Sequence, residues 1–74
     1  MKIMTQNRDT ILEQPRQMWV SPNYEGTEDY AICSNVKRVP TLGVYQTESR
    51  AMEILKDIFE SQRKGLVNYY MPKE

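Results

Sequence analysis

The sequence predicts a single-domain α+β protein in which one amphipathic helix, about residues 48–64, packs on a small antiparallel β-sheet. Three observations lead to this prediction. The 74 residues suffice for one domain, 1–74, and no more. One segment has apolar residues at helical spacing between clear start and stop signals. The other apolar residues fall in short runs of strand formers separated by turn residues.

The helix is predicted from its two ends and its pattern. Thr47 suits the N-cap, because its hydroxyl can accept an otherwise unpaired N–H of the first turn. Glu48 follows where the helix dipole favours an anion. Gly65 suits the first position after the helix, because glycine adopts the left-handed conformation without strain. Six apolar residues share the face that we expect to pack on the sheet: Ala51, Met52, Ile54, Leu55, Ile58 and Phe59.

Short strands are predicted on both sides of this helix. Residues 2–13 form a candidate hairpin, because Asn7-Arg8-Asp9 is typical of a turn. Three more strands are expected over Gln17–Val20, Asp29–Val36 and Leu42–Gln46. Within the last of these, Gly43 indicates a bulge or a close backbone approach.

The C-terminal run 66–71 is the most apolar predicted strand. It is rich in strand formers and ends at Pro72. Because only Asn68 interrupts it, we expect it to be covered on both faces, either at the centre of the sheet or in a subunit interface. The candidate interface residues are Leu66, Val67, Tyr69, Tyr70 and Met71.

The composition excludes several classes of function. Basic and acidic residues number 10 each, so the chain lacks the basic excess of a general nucleic-acid-binding protein. Histidine is absent, which excludes Ser-His and Cys-His nucleophile pairs. The single Cys33 cannot hold a structural zinc, and the isolated glycines form no phosphate loop. We therefore predict a non-enzymatic protein without a metal or other cofactor.

The same features lead to expectations about location and assembly. No apolar run is long enough to span a membrane, and the first residues contain no signal-peptide hydrophobic region. A lone cysteine suits a reducing compartment, so a cytoplasmic protein is predicted. A core of this size is near the limit of independent stability. Homo-oligomerisation is therefore expected, through 66–71 or the apolar surface around Trp19.

Basic and aromatic side chains in the predicted loops are the candidate ligand-binding residues: Arg16, Trp19, Tyr24, Lys37 and Arg38. The three basic residues would contact phosphate, and Trp19 or Tyr24 would stack on a base. Each has a structural alternative, since Trp19 also suits a core position and Lys37-Arg38 an ordinary charged turn. Cys33 is expected to be a small buried hydrophobe rather than a reactive thiol.

Three segments resemble a known group of proteins. They are MKIMTQ at residues 1–6, LGVYQTESRA at 42–51 and YYMP at 69–72. These are similar to the MKIxTQ, LGxYxTEERA and YxMP patterns of small uncharacterised proteins from phages and prophages of Gram-positive bacteria. Residues 13–29 depart from that group by a proline-bounded insert, Pro15 to Pro22. The resemblance implies a phage association and, for a small protein without catalytic residues, a role against host defence.

The function predicted from these features is sequestration of a small anionic nucleotide, a signalling ligand, at an oligomer interface. A second class of function stays open, in which the chain is an inhibitor or adaptor that binds a host defence protein. The contact would then be the acidic loop 21–29, with Glu25, Glu28 and Asp29. A third possibility is a phage accessory protein without a defence role.

Overall fold

The chain folds as six short strands and one α-helix in the part that the structure describes, residues 1–13 and 15–74 of a computed structural model. The order is β1 (Lys2–Met4), β2 (Ile11–Glu13), β3 (Met18–Ser21), β4 (Tyr30–Ser34), β5 (Thr41–Tyr45), α1 (Glu48–Arg63) and β6 (Asn68–Tyr70). One turn of 3₁₀-helix, Tyr24–Gly26, lies between β3 and β4. The predicted α+β class is confirmed.

The strands form two sheets of three rather than the one sheet that we predicted. The terminal sheet has the order β2-β1-β6, and the meander sheet has the order β3-β4-β5. The predicted hairpin at residues 2–13 is confirmed, since β1 and β2 are antiparallel. However, β6 pairs with β1 in parallel, with Lys2 opposite Asn68. This pairing joins segments far apart in sequence, so no local pattern indicates it.

The C-terminal strand differs from its prediction. It covers only Asn68–Tyr70 and lies at an edge of the terminal sheet, with Leu66 and Val67 exposed in the preceding turn. Tyr69 and Met71 were predicted as interface residues, but both side chains are buried in the core of the single chain. Tyr70 points the other way and is 61% exposed. Alternating burial replaces the predicted double-sided cover, because the terminal sheet packs on the core with one face only.

Both predicted ends of α1 are observed. The backbone N–H of Arg50 donates to Thr47 Oγ1 at 3.1 Å, and Gly65 has a φ of +80°. The predicted inner face, however, is too wide. Its buried residues are Ala51, Ile54 and Ile58, joined by Ser61. Met52 and Phe59 are exposed instead, and Phe59 is 62% exposed.

The core lies between α1 and the two sheets. The terminal sheet contributes Ile3, Leu12 and Tyr69, and Met71 follows it. The meander sheet contributes Ile32, Leu42 and Tyr45, and α1 adds its buried residues. Three partly buried side chains, Met18, Val20 and Leu55, pack at the margin of this core.

The predicted irregularity at Gly43 is confirmed. The β4–β5 register shifts between Ile32 and Cys33, which marks a bulge. A Cβ atom on Gly43 would lie 2.8 Å from the Tyr45 hydroxyl oxygen. The missing side chain therefore leaves room for the Tyr45 ring, whose hydroxyl donates to the Pro72 carbonyl oxygen at 2.6 Å.

One edge of the meander sheet is closed by Gln6. The Gln6 backbone N–H donates to Leu42 O at 2.9 Å. Its side-chain Nε2 donates to Val44 O at 2.9 Å, and its Oε1 accepts from Val44 N at 2.7 Å. The same Nε2 also donates to Lys73 O at 2.8 Å. The amide side chain thus pairs with β5 in place of another strand.

Side chains hold the segment after β6 by its backbone carbonyls. Arg8 Nη1 donates to Met71 O at 2.8 Å, and Arg50 Nε donates to Glu74 O at 2.9 Å. With the bonds from Tyr45 and Gln6, each carbonyl from Met71 to Glu74 accepts a side-chain hydrogen bond. Four side-chain hydrogen bonds thus fix the position of this segment, although it is outside both sheets.

Candidate functional site

The outer face of the meander sheet, which points away from α1, carries several of the predicted ligand-binding residues. Trp19 on β3 lies opposite Cys33 on β4, and Cys33 lies opposite Thr41 on β5. The neighbouring Ile32 points to the core and is fully buried. Trp19 is 45% exposed, so of its two sequence-based interpretations the surface position is the one observed.

Tyr24 is held beside this face by a tightly folded loop. Asn23, Glu25 and Gly26 all have left-handed backbone conformations. Tyr24 N donates to Asp29 O at 3.0 Å, and Thr27 Oγ1 donates to Tyr24 O at 2.6 Å. Left-handed conformations at Asn23 and Glu25 are uncommon for residues with a side chain, and such conformations cluster at binding sites. The loop thus presents the Tyr24 ring from a fixed backbone.

A groove of about 590 Å³, here called the outer groove, lies between this loop, the β4–β5 turn and the β1–β2 turn. The first two segments contribute Tyr24, Glu25 and Arg38. Strand β5 contributes Thr41 and Val44 to the floor. The β1–β2 turn adds five polar residues: Thr5, Gln6, Asn7, Asp9 and Thr10. The volume lies within the range of small-molecule sites, about 300–1,000 Å³.

The groove contains one basic and two acidic side chains. The Asp9 carboxylate accepts hydrogen bonds from Thr5 Oγ1 at 3.0 Å and Thr10 Oγ1 at 3.2 Å, so it is partly satisfied within its own turn. The Glu25 carboxylate raises the pKa of the Tyr24 phenol, with a smaller contribution from burial. In the described part of the chain both ion pairs lie on α1, so neither engages the Arg38 guanidinium.

Cys33 lies under this surface as a half-buried thiol. Burial raises its pKa, and the hydrogen bond from the Thr41 side chain opposes that effect only in part. A raised pKa keeps the thiol protonated at neutral pH, which disfavours nucleophilic reactivity. The raised pKa agrees with the expectation of an unreactive thiol, but Cys33 is half-buried rather than buried as predicted.

Only part of the predicted site comes together. Tyr24 and Arg38 line the outer groove, and Trp19 lies on the same face in the row that ends at Thr41. Arg16 and Lys37 are exposed and lie outside the lining. The polar residues of the β1–β2 turn were not predicted as site residues. The sequence predicted a turn at these residues, but the position of this turn against β5 depends on the hydrogen bonds of Gln6.

A second cleft of about 660 Å³ lies at the start of α1, lined by Asp29, Gln46, Thr47, Arg50, Lys73 and Glu74. Its guanidinium is already engaged, because Arg50 forms an ion pair with Glu53 and donates to Glu74 O. An anion could bind Arg50 there only if these contacts broke, which leaves the exposed Lys73 as the other cation of the cleft. The outer groove, where Arg38 takes part in neither ion pair and Tyr24 shares the lining, is therefore the better candidate.

Among residues 1–13 and 15–74, no group of three His, Cys, Asp or Glu side chains is placed to hold a metal ion. No helix in the same described part of the chain has the length and apolar character needed to cross a membrane. Comparisons with protein-family models, curated proteins and solved structures gave no significant match.

Proposed function

We propose that this protein is a non-enzymatic binding protein that holds a small anionic nucleotide in the outer groove. The observation that supports this most is that Tyr24 and Arg38, far apart in sequence, line one cavity. An aromatic ring stacks on any base, at about 1–3 kcal/mol per base in known complexes. A guanidinium binds phosphate oxygens with two parallel hydrogen bonds. The groove thus offers one group for each half of a nucleotide.

The charges of the groove favour one class of nucleotide. Arg38 is the one basic side chain among its described lining residues, and Asp9 and Glu25 are acidic. A triphosphate would bring its additional negative charges close to these carboxylates. A nucleoside monophosphate, linear or cyclic, matches a single guanidinium better. The groove lies within one chain, so the proposal places the ligand there rather than between subunits.

The biological setting is a separate step of the proposal. Binding without catalysis would sequester the nucleotide, and in the cytoplasm this would deprive a signalling pathway of its messenger. The phage association and the role against host defence rest on the sequence resemblance alone, and both stay predictions.

Isothermal titration against linear and cyclic nucleoside mono-, di- and triphosphates tests the proposal. We expect a monophosphate to bind. Arg38→Gln should weaken its affinity by about 10-fold or more, because a hydrogen bond to a charged group contributes about 1.5–3 kcal/mol. Tyr24→Ala should weaken it as well. A protein that gives no heat with any nucleotide of the panel contradicts the proposal.

Lys56→Gln is the matched control. It also removes one positive charge, but Lys56 is exposed on α1, which covers the opposite face of the meander sheet. Its affinity should equal that of the unchanged protein. An equal loss in Arg38→Gln and Lys56→Gln would mean that only net charge matters and that the groove is not the site.

The inhibitor or adaptor alternative has one observation in its favour. The acidic loop carries exposed Glu25 and Glu28, and its left-handed residues and hydrogen bonds fix its backbone. A rigid exposed loop binds a protein partner at low entropic cost. Capture of a host protein that is lost in Glu25→Gln/Glu28→Gln, but kept in Arg38→Gln, would favour this alternative over nucleotide binding.

A further inference from the structure

The β3 edge of the meander sheet, here called the open edge, has no strand beside it among the described residues. The sheet order is β3-β4-β5, and Gln6 closes only the β5 side. Met18–Ser21 contains no charged residue. Natural sheets usually protect an edge with charges or cover, because its free N–H and C=O groups pair readily with another strand.

An apolar stripe on α1, formed by Met52, Leu55 and Phe59, lies on the flank of the helix away from the terminal sheet. The other flank of α1 faces that sheet, since the Tyr69 hydroxyl donates to Asp57 Oδ2 at 2.7 Å. At about 100° per residue, Phe59 lies about 160° around the helix from Asp57. Met52 and Phe59 are exposed, and α1 also contacts β3, the strand at the open edge.

The core is incompletely covered where β3 and α1 meet. Met18 and Val20 on β3 and Leu55 on α1 are only partly buried, although all three pack on the core. The chain exposes 5241 Å² in total, whereas a monomer of 8.8 kDa is expected to expose about 4,800 Å². Cover on this side would remove part of that excess.

We infer that the open edge and the apolar stripe form one surface that binds a second copy of this chain about a two-fold axis. The two β3 strands pair antiparallel and join the meander sheets into one sheet of six strands. A two-fold axis perpendicular to the sheet keeps both α1 helices on one side, antiparallel to each other. Two strands and two helices thus meet through the same surface of each copy, as a closed dimer requires.

The charges on α1 match this arrangement. When Met52 packs on the partner's Phe59, the antiparallel register places Glu48 opposite the partner's Arg63. The two-fold axis repeats both contacts. Glu48 and Arg63 each lie within about 45° of the stripe direction around the helix, one at each end. An acidic residue at one end and a basic residue at the other make the surface complementary to itself, with Arg63 shared between its own Glu60 and the opposing Glu48.

This interface is independent of the proposed nucleotide site. The outer groove lies toward β5 and the β1–β2 turn, whereas the open edge is at β3. A protein that binds no nucleotide can still dimerise here, and a monomer can still bind in the groove. Nucleotide titration and solution mass therefore test separate statements.

Sedimentation equilibrium of the full chain, from micromolar to millimolar concentration, is the first measurement. We expect a species of twice the 8.8 kDa chain mass. Phe59→Glu should leave only the monomer, since it places a carboxylate in the stripe. Tyr70→Glu is the matched control, because Tyr70 is an equally exposed aromatic on the terminal sheet, and it should keep the dimer.

Charge reversal tests the register. Glu48→Arg and Arg63→Glu should each weaken the dimer by about 10-fold or more, and the double variant should restore it. Glu48 and Arg63 are exposed, so we expect these variants to fold. They therefore test the interface even if Phe59→Glu does not fold. A monomer at every concentration overturns the inference. So does a dimer that Tyr70→Glu abolishes and Phe59→Glu leaves intact, or a double variant that stays as weak as either single one.

Discussion

The two edges of the meander sheet differ in whether other residues of the chain pair with them. At β5, one glutamine side chain satisfies both the N–H and the C=O of Val44, and the segment after β6 packs beside it. At β3, no described residue pairs with the strand, and the side chains around it are apolar and partly exposed. Polar contacts within the chain thus stabilise one edge, while the other keeps the features of an association surface. The difference predicts that substitutions at β5 affect folding and that substitutions at β3 affect assembly.

The largest effect is expected at the closed edge. Gln6→Ala removes three side-chain hydrogen bonds and leaves the partly buried Val44 amide without its partner. We expect a loss of about 2–4 kcal/mol in the free energy of unfolding, because an unsatisfied buried group costs more than a hydrogen bond gains. Urea denaturation measures it. The exposed Gln46→Ala is the control and should change stability by less than about 0.5 kcal/mol. Equal losses in both variants would contradict the role given to Gln6.

A smaller effect is expected where the tail contacts the same edge. Tyr45→Phe removes the hydrogen bond to Pro72 O and should cost about 1 kcal/mol at neutral pH. Burial raises the pKa of Tyr45 to about 12, from a usual value of 10.0. Above pH 10 the unfolded chain therefore loses this proton first, and stability falls as the pH rises toward 12.

The pH dependence gives a second measurement on Tyr45→Phe. The phenylalanine variant lacks this titration, so its stability should fall less steeply between pH 10 and 12. Burial and the Asp57 carboxylate also raise the pKa of Tyr69, which is present in both proteins, so only the smaller contribution of Tyr45 to that shift differs between them. Urea unfolding at several pH values gives the two slopes. Parallel slopes would show that Tyr45 does not remain protonated in the folded chain.

The smallest effect on folding is expected at the open edge. Phe59→Ala should change the unfolding free energy of the dilute monomer by less than about 0.5 kcal/mol, since the ring is mostly exposed. The unchanged protein should melt at higher temperature as its concentration rises, because association stabilises the folded state. That dependence should vanish in Phe59→Ala. A large loss of stability at low concentration would place Phe59 in the core instead.

The features of the fold that were predictable from sequence are local ones. Thr47 and Gly65 define the ends of α1 because caps depend on neighbouring residues alone. The width of its buried face was not predictable. Six apolar residues span about 160° of the helix, but the sheets cover an arc of only about 80°. The excess, Met52 and Phe59, is left exposed.

In the candidate site, too, local features were predictable from sequence and long-range contacts were not. Tyr24 and Arg38 were recognisable as binding residue types in loops, and they do share a cavity. The contribution of the β1–β2 turn was hidden, because it depends on Gln6 bonding to Val44, 38 residues away. Arg8, in the same turn, donates to two backbone carbonyls, and its guanidinium lies 5.5 Å from the centre of the Tyr70 ring.

The bonds that hold the segment after β6 also bear on how the chain acquires its fold during synthesis. Gln6 and Lys73 are 67 residues apart in sequence. Met4 lies opposite Tyr70, so the terminal sheet can be completed only after Tyr70 has been synthesised. While residues 68–73 are still inside the ribosome, β1 lacks its β6 neighbour and the Gln6 side chain lacks its Lys73 acceptor. A nascent chain therefore exposes an edge of β1 that β6 covers in the finished terminal sheet. Contacts of such long sequence separation form slowly, so the chain is most prone to aggregate before residues 68–73 have emerged and paired.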